Sequence, residues 1–246
     1  MTAGEFDVLA TGHPSVDVMF SGLPLWPELG RDIDAEGLGV CAGTSFNTPA
    51  AANRIGLRVG YIAMIGNDVW SRIVLEEFAA EALPTDFLRI ADRPLPFVSV
   101  ALNRDHDRGF VTYEAAEQSD DEELHRYAIE VASNAAARHL HVYAGEEPSE
   151  LGTIARERGM TISMDAWGGP WWDAPAPLEE LLPRGDVVFA NEPEALAMTG
   201  EPDVEKALAR MADLCGCVVI KRGSRGSMGS AGGKTREAPA EPARVV

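Results

Sequence analysis

Short apolar, β-branched runs recur along the chain at 7–11, 59–65, 139–143, 161–165, 186–190 and 217–221. Between them lie stretches whose apolar positions follow a helical period, at 45–55, 69–83, 120–137, 149–158, 192–199 and 204–214. This alternation predicts an α/β fold, a sheet of mostly parallel strands joined by crossover helices. Several helix starts carry capping residues. Asp68 stands before 69–83, Ser119 or Asp120 opens 120–137, and Ser45 is placed to cap 45–55. The acidic run Asp120-Asp121-Glu122-Glu123 reads as the solvated first turn of a helix, where negative charge opposes the dipole favourably, and not as a metal site.

Two stretches break the rhythm. Segments 97–103 and 110–115 alternate or are β-rich and are joined by a polar turn, the pattern of a hairpin; 31–40 is a third β-capable stretch. Antiparallel pieces in an otherwise parallel protein need their own place to pack. The expectation is therefore one domain over 1–246 with a small β-lid built from segments near 14–40 and 96–116. Past residue 222 the chain becomes glycine-rich and then proline-rich. Gly233-Lys234-Thr235 imitates the end of a phosphate-binding P-loop, but Met228 occupies the place of that motif's first glycine and no helix follows, so a β-hairpin turn is the better reading.

Composition narrows the partners. With 46% hydrophobic residues in 246, the chain can bury a substantial core. It carries 21 Lys and Arg against 39 Asp and Glu, a formal charge of −18, which argues against binding a nucleic acid through its phosphates. Only Lys206, Lys221 and Lys234 are lysines, so an anionic ligand must be held by a few local groups. No run approaches the about 18 apolar residues of a membrane span, and residues 1–7 lack the basic and apolar regions of a leader, so a cytoplasmic protein without a membrane partner is expected. Cys41, Cys215 and Cys217 suit neither a disulfide framework nor a zinc site and are expected as small buried residues.

Candidate chemistry gathers at three places. Asp17 follows the first strand, where open α/β sheets present ligand-binding groups; its carboxylate suits two sugar hydroxyls or, equally, a local turn. In Ala42-Gly43-Thr44-Ser45-Phe46-Asn47, Gly43 permits a close backbone approach and Asn47 offers an amide to a polyol, although a glycine-rich loop capping an alanine-rich helix would look the same. Asn191 and Glu194 follow the strand 186–190 three residues apart, suited either to hold the waters of a hydrated Mg²⁺ or to form an ordinary helix start.

Taken in order, Gly12 to Asp17, Ala42-Gly43 with Asn47 and Gly56, Ile65-Gly66-Asn67-Asp68, the hairpin, Asn191 with Glu194, and Lys221-Arg222-Gly223-Ser224-Arg225-Gly226 resemble the ribokinase-like carbohydrate kinases, the PfkB family. The resemblance implies a three-layer α/β/α sandwich with a β-sheet lid, ATP as phosphoryl donor, Mg²⁺, and a sugar or nucleoside-like acceptor. By the same resemblance Asp17, Gly43 and Asn47 bind the acceptor, Asn191 and Glu194 order Mg²⁺ through water, and Lys221, Gly223 and Gly226 contact the nucleotide. It also implies a possible homodimer through the lid.

The departures are specific. Ser71 stands at a glycine of the family pattern, and in Asp165-Ala166-Trp167-Gly168-Gly169-Pro170-Trp171-Trp172 a glycine, Gly169, replaces the usual arginine. The three tryptophans there suit ligand stacking or packing. The family's Gly-Ala-Gly-Asp stretch, source of the catalytic base and anion hole, is absent; it is expected beyond Val246. The expectation is an ATP-dependent carbohydrate kinase lacking its C-terminal part and inactive as it stands. The alternatives are a non-catalytic sugar or nucleoside sensor derived from a kinase, or a fragment that does not fold stably.

Overall fold

A computed structural model describes residues 6–104, 107–115, 121–144, 149–166 and 176–241. The expectations for Ser119, Asp120, Trp167, Gly169, Trp171, Trp172 and Val246 lie outside the described residues. The chain divides between Ala136 and Ala137 into two compact units.

In the first unit β1 (Val8–Thr11), β4 (Val59–Ile65) and β5 (Leu88–Ile90) run parallel with β4 in the middle. Every residue of β4 is buried, as a parallel strand covered on both faces requires. Helices α1 (Asn47–Arg54) and α2 (Val69–Ala80) bring Phe46, Ala50, Val74 and Phe78 into one core with Ala10, Tyr61 and Ile65. The Tyr61 and Phe78 rings stack 5.5 Å apart and Phe46 meets Phe78 edge-on at 5.4 Å, geometries that aromatic quadrupoles favour. Asp68 caps α2 as expected, accepting from the backbone N–H of Ser71 at 2.9 Å and its hydroxyl at 2.7 Å. Ser71 is buried, so the residue at the family's glycine position is itself part of the cap. Helix α3 (Asp121–Asn134) packs on β4.

A separate four-stranded sheet in this unit has the order β3-β2-β6-β7, from β2 (Pro14–Ser21), β3 (Gly37–Thr44), β6 (Phe97–Arg104) and β7 (Asp107–Glu114). Its register sorts side chains by parity. One face carries Val16, Val18, Phe20, Leu38, Val40, Ala42, Val98, Val100, Leu102, Val111 and Tyr113, with the register pair Arg104 and Asp107 at its end; the other carries Ser15, Asp17, Ser99 and Thr112 together with Met19, Phe97, Arg108, Phe110 and Glu114. Val16 and Ala42 are buried in the core, whereas Leu38, Val40, Val111 and Tyr113 are exposed.

In the second unit β8 (His139–Tyr143), β9 (Thr161–Asp165), β10 (Val187–Asn191) and β11 (Cys217–Lys221) run parallel, continued by the antiparallel β12 (Ser227–Ala231) and β13 (Lys234–Ala238). Leu140, Val142, Ile162, Met164, Val188, Ala190, Val218 and Ile220 are all buried on one face. Helix α4 (Ser149–Glu157) packs on β9, α6 (Glu192–Thr199) on β10, and α7 (Val204–Ala212) on β11 and β12. Gly232 and Gly233, both at positive φ, close the β12–β13 hairpin, so the P-loop look-alike is a tight turn.

Four expectations are corrected. Asp17 lies within strand β2 and not in a turn after β1, because Val16, Val18 and Phe20 alternate with Ser15, Asp17 and Met19 at the strand period. The β-capable stretch at 31–40 forms a strand only from Gly37 and continues to Thr44. Helix α1 starts at Asn47, and Ser45 does not cap it, since the Ser45 hydroxyl is hydrogen-bonded to Tyr61 Oη at 2.6 Å. Of the cysteines only Cys215 is fully buried; Cys41 and Cys217 are half-buried. The short β5 and α5 (Leu178–Leu181) are too brief to show a period. Among the described residues no helix is long and apolar enough to cross a membrane.

Candidate functional site

The first unit holds Asp17, Gly43 and Asn47. Strands β2 and β3 pair so that Ser15 faces Gly43 and Asp17 faces Cys41. A Cβ on Gly43 would lie 2.3 Å from Asp17 Oδ2, far inside contact distance, so the carboxylate occupies the space a side chain would fill. The Ser15 hydroxyl, itself buried, donates to Asp17 Oδ1 at 3.0 Å, and Thr44 Oγ1 donates to Ser15 Oγ at 2.8 Å. Thr44 has a φ of 51°, a conformation that a β-branched residue adopts only at a cost of about 1–3 kcal/mol. Burial raises the Asp17 pKa above the ordinary carboxylate value, against the pull of the Ser15 hydrogen bond and the Arg108 charge. Asn47 is exposed at the first position of α1. Ser15 and Thr44 were not singled out from the sequence, yet the strand period puts Ser15 on the same face as Asp17.

The second unit holds the other candidates, at the carboxyl ends of three adjacent parallel strands. Asp165 ends β9, Asn191 ends β10 and Lys221 ends β11, where α/β sheets present their ligand-binding groups. Asn191 and Glu194 form a reciprocal capping box on α6. Asn191 Oδ1 accepts from the Glu194 N–H at 2.8 Å, and Glu194 Oε2 accepts from the Asn191 N–H at 2.6 Å. Burial raises the Glu194 pKa, opposed by the Asn191 N–H and Lys221 and reinforced by Asp165.

Lys221 Nζ lies 3.1 Å from both carboxylate oxygens of Asp165, a pairing no sequence feature announced. Burial raises the Asp165 pKa and the Lys221 charge lowers it. A 3-10 turn, Gly223–Arg225, follows β11, and its Arg225 pairs with Glu192 at the start of α6; Arg222 faces Glu237 at 3.6 Å. Gly223 and Gly226 both have positive φ, and a Cβ on Gly226 would meet the Ala238 carbonyl oxygen at 2.0 Å, so its glycine is demanded by the turn itself.

On the same face of the strands as Asp165 but nearer the start of β8, His139 Nε2 and His141 Nδ1 share the Ser163 hydroxyl at 2.7 and 2.8 Å. Burial, with the nearby His139 and Lys221, pushes the His141 pKa down to about 4. Among the described residues no group of three or more His, Cys, Asp or Glu side chains is arranged to hold a metal ion directly.

Known proteins share this architecture. The model of the pfkB family carbohydrate kinases matches residues 40–246. A nucleoside kinase of Methanothermobacter thermautotrophicus is 25% identical over 194 residues, which are 76% of this chain and 60% of that protein. Of solved structures, the adenosine kinase from Sinorhizobium meliloti matches with a TM-score of 0.75 at 20% identity over 98% of this chain and 82% of that one. Arabidopsis thaliana ribokinase, complexed with ribose and ATP, matches with a TM-score of 0.73 at 22% identity over 99% and 80%. These structural likenesses establish a ribokinase-like α/β fold, and the family match spans most of the sequence. The chain belongs to the pfkB family of carbohydrate kinases.

Proposed function

We propose that the protein transfers the γ-phosphoryl group of ATP to a hydroxymethyl oxygen of a sugar or nucleoside. The observation that carries this reading is the Asp17 carboxylate, seated in the space left by Gly43 and oriented by Ser15. A carboxylate fixed in this way accepts hydrogen bonds from a pair of neighbouring hydroxyls, with the Asn47 amide as a further polar contact. In the second unit, Lys221 at the end of β11 and the turn at Gly223 and Gly226 serve the nucleotide.

Asn191 and Glu194 suit Mg²⁺ held through water. Each gives one oxygen to the capping box, which locks its orientation, and Glu194 retains its second oxygen for a water. Mg²⁺ keeps several of its waters and takes few protein ligands, so such a donor set fits it. Mg²⁺ would neutralise charge on the phosphates. The protein's part is to position and to stabilise charge, the bulk of catalysis in phosphoryl transfer. The sequence contains no Gly-x-Gly-Asp stretch, and the reading accordingly assigns binding roles and no base.

The apolar, partly exposed stretch of one face of the smaller sheet, Leu38, Val40, Val111 and Tyr113, supports a homodimer in which that sheet packs on a second copy and acts as a lid. A chain of charge −18 meets its own copy most easily through a stretch that adds no acidic charge of its own, as these four residues do. ADP release measured over a panel of ribose, fructose and nucleosides tests the activity. Turnover that is lost in Asp17→Asn supports it; calorimetry that finds sugar or nucleoside binding but no binding of ATP would instead favour the sensor reading.

A further inference from the structure

The strongest cation at the proposed nucleotide end is not available as it stands. Lys221 and Asp165 lie on the same face of the sheet, because Asp165 pairs with Phe189, and Asn191, two residues on, pairs with Lys221. They are separated by the whole of β10, about 9–10 Å for two strand spacings. Lys221 therefore folds back diagonally across β10 to bring Nζ within 3.1 Å of both Asp165 oxygens. Its side chain keeps 49% exposure while Asp165 keeps 22%, so the amine is reachable and its partner is sheltered. The two other described cations of this end, Arg222 and Arg225, also face carboxylates, Glu237 and Glu192.

We propose that Asp165 is a positioning residue that parks Lys221 in the ligand-free state and that an incoming phosphate must take the amine from it. The pair would then set nucleotide affinity. It keeps Lys221 extended over β10 beside Asn191, and it weakens the binding of phosphate anions by the free energy of the ion pair that must open. This rests on the reading of Lys221 as a nucleotide contact and adds to it a competitor within the protein. The same competition makes a bare anion a poor ligand for this chain, since every described cation here already has a carboxylate.

Calorimetric titration of ADP, in EDTA, into the wild-type chain, Asp165→Asn, Lys221→Met and the double variant tests it. The amide keeps the shape of the carboxylate, and a thermal melt of each variant accompanies the titration; Asp165→Ser replaces the amide variant if its melt is early. Expected is ADP binding that tightens about two- to fivefold in Asp165→Asn, the range of a partly exposed ion pair. Lys221→Met should weaken binding about tenfold, as loss of a charged donor to phosphate does, and adding Asp165→Asn to it should restore nothing. Wild-type binding that is unchanged or weakened in Asp165→Asn overturns the parking role while leaving the nucleotide reading in place. Binding indifferent to Lys221→Met, or none in any variant, overturns both.

Discussion

The Asp17 carboxylate and the missing side chain of Gly43 are one feature seen from two strands. Gly43→Ala places a methyl carbon 2.3 Å from Oδ2, and the carboxylate must leave the position that Ser15 holds. Acceptor affinity should fall at least about tenfold, with a loss of about 1–3 kcal/mol in stability typical of overpacking, read by calorimetry and a urea melt; unchanged acceptor binding would remove Asp17 from the site. His141 makes a prediction of a different kind. Its folded pKa of about 4 lies below the ordinary 6.5, so between these values the unfolded chain binds the extra proton and stability falls as the pH falls. The full loss is about 3 kcal/mol. Asp17, Asp165 and Glu194 work in the opposite sense: their raised values mean that protonation in acid favours the folded state. The difference between wild type and His141→Gln isolates the histidine, and the wild type should lose stability relative to the variant from pH 6.5 down to 4. Parallel unfolding curves over that range would show that His141 protonates freely.

At the scale of elements, α6 shows how a local device and a site share residues. Asn191 and Glu194 satisfy two orphan N–H groups of the helix start, which alone would account for their spacing, and the same bonds fix the side chains at the end of β10. The smaller sheet carries a second consequence. Val16, Val18, Phe20, Leu38, Val40, Ala42, Val98, Val100 and Leu102 fall on one face by the strand period, and the outer part of that face, at Leu38 and Val40, is open. In Val111→Lys a charge enters the middle of the β6–β7 pair opposite Val100. Sedimentation of wild type as a dimer and of Val111→Lys as a monomer is the expected result; a monomeric wild type would mean that this face serves another purpose.

At the scale of the molecule, charge dominates. A net charge of −18 repels itself in the compact state, and the ion pairs that offset it are mostly exposed, such as Arg58 with Asp7 and Lys206 with Asp203. Added NaCl should therefore raise the thermal midpoint by a few degrees up to about 0.5 M, by screening. A midpoint that falls with salt would show that the ion pairs outweigh the repulsion.

The alternation of apolar runs was enough for the α/β class and for six parallel strands to within a residue, since β1, β4, β8, β9, β10 and β11 are short runs with buried apolar residues set between longer helical segments. The order of the motifs, a separate signal, carried the resemblance to the family that the chain belongs to. What the sequence could not display is any relation that runs across strands: the carboxylate of Asp17 filling the void of Gly43, the lysine of β11 lying across β10 on Asp165, and two histidines sharing one serine. Those contacts join residues 26, 56 and about 20 positions apart in the chain. Period and capping act over a few residues, so the sequence alone determined which elements form, whereas register and strand order, settled only when the sheets assemble, decided which side chains meet.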